Sequence, residues 1–141
     1  MTEPTTINHP DRAYARAARR FSMSFMSDAK WRKLFAALIA ARCELECAEW
    51  WWINSPTPCV KRFPREHEVL EKRFADGYFQ PTEYRWIERI RIPRFWRPYK
   101  GVGLERQQDL EAVSAVMTAA GAFQLEWETG GAALTLYAYK H

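Results

Sequence analysis

The sequence predicts an α+β protein: a mainly antiparallel sheet of about four strands, two main helices packed on one face, and a C-terminal β-hairpin. Three observations carry this prediction. Residues 28–42 and 104–120 place apolar side chains at the helical period of 3.6. Segments near 43–53, 82–92 and 123–139 alternate apolar and polar residues with a period of two, as half-buried strands do. No strand–helix unit repeats, so a parallel sheet is not expected.

The elements follow in chain order. Asp11 to Arg20 is rich in Ala and Arg and predicts a short helix with a thin stripe of Tyr14, Ala17, Ala18 and Phe21. Residues 1–22 are therefore expected to be an N-terminal arm, partly helical or flexible, ahead of a single domain over 23–141. Ser27 is a good N-cap, and Asp28 places a carboxylate in the first turn, at the positive helix end. Trp31, Leu34, Phe35, Leu38 and Ile39 then form the apolar face of the first main helix. A strand is expected from about Glu44 to Ile53, with a bulge near Ala48, ended by Asn54-Ser55-Pro56-Thr57-Pro58. Pro64 suits the first position of a surface helix over Arg65 to Ala75, with Asp76-Gly77 closing it. Thr82 to Ile92 reads as a strand with Tyr84, Trp86, Glu88, Ile90 and Ile92 on one face and Arg85, Ile87, Arg89 and Arg91 on the other. Arg94 to Gly103 reads as a loop, and Leu104 to Ala120 as the second main helix, with Leu110, Val113, Val116 and Met117 inward and Gly121 at its end. Gly130-Gly131 turns the chain between Phe123–Trp127 and Leu134–Tyr139.

With 141 residues, 48% of them apolar, the chain is long enough to bury a core without a disulfide or metal. No apolar run reaches transmembrane length. Aromatic residues reach 15%, with seven Trp. The net charge of +4 is unevenly distributed: residues 1–42 carry +5, 43–76 carry −2, 77–100 carry +4 and 101–141 carry −3. Cys43, Cys47 and Cys59 make an odd set, and Arg19-Arg20 is followed by no hydrophobic export stretch, so reduced thiols and a cytoplasmic location are expected.

No catalytic constellation is legible. Cys43, Cys47, Cys59 and His67 could supply a zinc set. On a strand, however, Cys43 and Cys47 would lie about 13 Å apart, too far for one tetrahedral ion. His9 and His141 are terminal, and neither a nucleophile elbow nor a phosphate-binding glycine loop occurs. The expectation is no metal, no cofactor and no catalytic residue. A small-molecule enzyme of unrecognised type is the remote alternative.

What stands out is Arg85 to Lys100. Here Arg85, Arg89, Arg91, Arg94, Arg97 and Lys100 interleave with Trp86, Phe95, Trp96 and Tyr99. Arg and exposed aromatics are the currency of nucleic-acid contact, and Trp, Tyr and Arg also carry protein interfaces. The expectation is a protein-binding site at Arg94, Phe95, Trp96, Arg97 and Tyr99, with Trp96 central. A basic nucleic-acid-binding module is the alternative, and a second copy of the chain is a further candidate partner.

The opening Met26-Ser27-Asp28-x-Lys30-Trp31-Arg32-Lys33-Leu34-Phe35 resembles that of a small uncharacterised bacterial α+β domain family. So do the strand Trp86-Ile87-Glu88-x-Ile90-x-Ile92-Pro93 and the final Leu136-Tyr137-x-Tyr139. The resemblance spans about residues 24–139, and these proteins share the size range of toxin-immunity proteins. It implies a compact cytosolic protein, no function beyond partner binding, and it transfers no catalytic residue; the expected function is non-enzymatic binding of another macromolecule, an immunity-type inhibitor being its specific form.

Overall fold

The computed structural model describes residues 9–75 and 81–141, and for residues 9, 10, 99 and 100 the backbone alone. The expectations for residues 1–8 and for Asp76-Gly77 lie outside the described residues. In chain order the elements are α1 (His9–Ala18), β1 (Met23–Ser24), α2 (Asp28–Ala40), β2 (Ala48–Trp52) and β3 (Ser55–Lys61). A 3-10 turn (Glu66–Glu68) follows, then β4 (Arg73–Phe74), β5 (Thr82–Glu83), a second 3-10 turn (Tyr84–Trp86), β6 (Ile87–Pro93) and β7 (Phe95–Trp96). The single-turn α3 (Pro98–Gly101), β8 (Arg106–Gln107), α4 (Leu110–Ala120), β9 (Gln124–Trp127), β10 (Ala133–Tyr137) and β11 (Tyr139–Lys140) complete the described chain.

The molecule is α+β. Its main sheet is antiparallel throughout and has five strands in the order β3-β2-β6-β10-β9, where about four were expected. The additional strand is β3, a segment the sequence marked as a strand terminator because of Pro56 and Pro58. Proline lacks the N–H that a central strand needs, yet it is tolerated at a sheet edge, and β3 is the edge. The expected C-terminal hairpin exists as β9 and β10, paired from Leu134–Trp127 to Tyr137–Gln124. After it the chain leaves the sheet, and β11 pairs with β1 instead. At the turn, Gly130 and Gly131 both have positive φ (71° and 70°), and a side chain on Gly131 would meet the Arg94 guanidinium at 3.0 Å.

One face of the sheet is the core. Register aligns Trp50, Ile90 and Leu136 across β2, β6 and β10, all fully buried, with Ile92 and Leu134 beside them. The α2 side chains Trp31, Leu34, Phe35 and Leu38 are buried, and Phe35 sits among Trp50, Phe63, Phe74 and Tyr84 at ring distances of 5.7–6.3 Å. Helix α4 packs on α2 and on β10 through the same layer. Ser27 caps α2, accepting from the Lys30 N–H, and Asp109 caps α4, accepting from that of Ala112.

Four local expectations are corrected. The strand expected from about Glu44 is β2 and begins at Ala48, and its irregularity falls between Trp50 and Trp52, not near Ala48. Arg65 to Ala75 is not a helix. Glu68 folds back onto Arg62 and the Arg65 N–H, and Phe74 leaves the surface to stack on Trp50 at 5.0 Å, so burial overrides helix propensity. In β6 the register with β2 slips past Glu88, which carries Ile87 to the core face instead of the Arg89–Arg91 face. Helix α4 starts at Leu110, six residues later than the apolar pattern suggested, because 104–109 are used to build a hairpin. Helix α1 falls where the Ala/Arg stripe placed it. Tyr14, Ala17, Ala18 and Phe21 pack against the core, and the Tyr14 hydroxyl meets that of Tyr139 at 3.0 Å.

Candidate functional site

The segment expected to be a plain loop is a small hairpin. Phe95 pairs with Gln107 and Trp96 with Arg106, and α3 lies in the connection between them. Its base is held from below. Gln108 is buried; its amide nitrogen donates to the Cys47 and Pro93 carbonyls (3.0 and 2.7 Å), and its amide oxygen accepts from the Cys47 N–H (3.2 Å). Buried main-chain groups need such partners, and here one side chain satisfies three. Gln108 carries no sequence signal that separates it from an exposed polar residue.

The expected binding residues divide once placed. Arg94 is an internal strut: both terminal nitrogens donate to the Glu111 carboxylate of α4 (2.7 and 2.6 Å), and Nε donates to the Gly131 carbonyl (2.7 Å). Trp96 is half-buried with the Arg106 guanidinium 5.4 Å above its ring, and Arg106 in turn pairs with Glu46. Phe95 is 51% exposed, and Arg97 is exposed, donating to the Gly103 carbonyl. The Tyr99 side chain lies outside the described residues. Two residues not singled out from sequence complete the surface: Val102 is 69% and Leu104 is 86% exposed. The sequence pattern marks Leu104 only as the start of the second main helix, outside its inward stripe.

Electrostatics separate this hairpin from the basic strand that precedes it. Arg91 is clamped between Glu49 (2.7 Å) and Glu128 on the sheet face opposite the core. Its guanidinium holds the Glu128 carboxyl below the usual range. Arg89 pairs with Glu88 and lies 4.2 Å over the Trp51 ring on that same face. Arg85 pairs with Asp11 and Glu83. Arg85, Arg89, Arg91 and Arg94 are thus compensated by carboxylates within the fold, whereas Arg97 donates to a main-chain carbonyl.

Cys43, Cys47 and Cys59 are free thiols. Burial first, and the nearby carboxylates of Asp109 and Glu49 respectively, push the Cys43 and Cys47 thiols up, away from a nucleophilic thiolate. Among the described residues, no three His, Cys, Asp or Glu side chains converge as a metal site, and no helix is long and apolar enough to cross a membrane. Comparison with protein-family models, with curated proteins and with solved structures finds no match for this chain.

Proposed function

We propose that the protein acts by binding another protein through the 95–107 hairpin, without catalysis, an immunity-type inhibitor being the specific form of that activity. The observation that carries this reading is the exposure of Phe95, Val102 and Leu104 on one anchored hairpin. Large apolar side chains clustered on a surface favour burial against a partner, and an anchored hairpin loses little freedom on binding. Arg97 stands exposed on the same hairpin. The partner surface that fits is an apolar recess with acidic groups at its rim. The nucleic-acid reading is disfavoured because Arg85, Arg89, Arg91 and Arg94 are engaged by carboxylates of their own chain.

A photo-crosslinking residue at position 104 identifies the partner, and calorimetry with the purified partner tests the surface. Leu104→Asp and Val102→Asp should each weaken binding by at least about 2 kcal/mol, the scale of an interface hot spot, with Tm within about 2 °C of wild type. Trp96→Ala, which also frees Arg106, should weaken binding and cost some stability. Undiminished binding in the Leu104→Asp and Val102→Asp variants rejects the surface. Crosslinks only between copies of this chain would show a self-association face.

A further inference from the structure

A cavity of about 390 Å³ opens between the chain leaving α2 and the chain leaving β3. Its volume falls in the range of about 300–1,000 Å³ typical of small-molecule sites. Ile39, Leu45 and Phe63 give it apolar walls, and Arg42, Arg62 and Arg65 line it as cations.

Arg42 is the telling residue. Its φ is 57°, the one positive value among described non-glycine residues. It ends α2: its N–H donates to the Ile39 carbonyl (3.0 Å), and the Cys43 N–H donates to that of Leu38 (2.9 Å). This is the helix-terminating position that glycine favours, and an L side chain is held there under strain. The charge is also unspent. Arg62 is committed to the buried Glu68 carboxylate (2.6 and 2.8 Å). Among the described residues, neither Arg42 nor Arg65 has a carboxylate partner, whereas the arginines of β6 and of the hairpin base are neutralised.

We propose that this cavity binds a small monoanion with an apolar body, an aryl or short acyl carboxylate. Its carboxylate is held by Arg42 and Arg65, and its apolar part lies against Phe63 and Leu45. Glu44, Glu46 and Glu66 line the same cavity; Glu46 is paired with Arg106, and the charges of Glu44 and Glu66 disfavour a doubly charged ligand such as phosphate. The Cys43 thiol, pushed up by burial and by Asp109, stays neutral at pH 7 and adds no competing charge.

The test is titration of the full chain with benzoate, followed through backbone amide NMR shifts, with benzamide and inorganic phosphate as comparison ligands. Benzoate should produce saturable shifts at residues 42–46 and 62–66, with benzamide and phosphate binding at least about tenfold more weakly. Arg42→Gly and Arg65→Ala should each weaken benzoate about tenfold, the loss of one charge-assisted contact. Arg42→Gly should do so with Tm at or above wild type, since glycine accepts the left-handed conformation freely. Should Arg42→Gly fail to fold, Arg65→Ala decides, because it alters no constrained backbone. Equal affinity for benzamide and benzoate, unchanged affinity in the arginine variants, or no saturable benzoate shift overturns the proposal.

Discussion

Glu68 shows how a single side chain redirects local structure. It is 4% exposed, receives two guanidinium hydrogen bonds from Arg62 and one from the Arg65 N–H, and its carboxyl is held below the usual range mainly by the Arg62 hydrogen bond. A depressed carboxyl contributes stability that is present above its unfolded-state pKa and lost as pH falls through the folded-state value. Glu68→Gln should therefore cost about 1–3 kcal/mol at pH 7. The gap to wild type should begin to close as pH falls through the unfolded-state carboxyl value of about 4.3 and vanish only below the lowered folded-state value. Urea unfolding of both proteins at neutral and acid pH measures this. A gap that is independent of pH would mean that the loss comes from the amide's hydrogen-bond geometry and not from the missing charge. Gly131 makes the complementary case, since its positive φ strains any side chain and a Cβ there would come within 3.0 Å of the Arg94 guanidinium.

Among the elements, the 95–107 hairpin depends on a residue outside itself. Gln108 joins it to the chain entering β2 and to the end of β6. Gln108→Leu keeps the bulk but strands the Cys47 N–H and the Cys47 and Pro93 carbonyls, at about 1–3 kcal/mol for each buried group left unpaired. Hydrogen exchange should quicken at Cys47 and through 95–107 before it does in α2. Unchanged protection at Cys47 would mean that water replaces the amide without penalty. The two main helices were legible because each buries one continuous stripe. The hairpin was not, because two-residue strands contain no full period of alternation.

For the whole molecule, compensated charge decides what a positive net charge means. The chain carries +4, but Arg85, Arg89, Arg91, Arg94 and Arg106 are each matched by a carboxylate in the fold. Binding to a 20-base-pair duplex should be weak, with a log–log salt slope no steeper than about −2, corresponding to roughly two phosphates neutralised at about −0.9 each. Fluorescence anisotropy across a salt series measures it. Tight binding with a slope near −5, by the same relation, would return the nucleic-acid reading to first place.

Composition and periodicity determined the α+β class, the faces of α2 and α4, the placement of α1 and the β9–β10 turn, because those features follow from local spacing and from residues with restricted backbone freedom. The fifth strand, the slip past Glu88 and the extended path of 65–75 were decided by tertiary structure. Pro56 and Pro58 are tolerable only at an edge, and only the assembled sheet defines an edge. Ile87 and Phe74 follow the aromatic core, whose burial outweighs local propensity. The same holds at the candidate surface. Sequence placed arginines and aromatics together between 94 and 99, but which arginines keep an unspent charge depends on carboxylates remote in the chain, such as Glu111 for Arg94. The exposure of Val102 and Leu104 exists only because the chain there turns outward to form the hairpin before α4 begins.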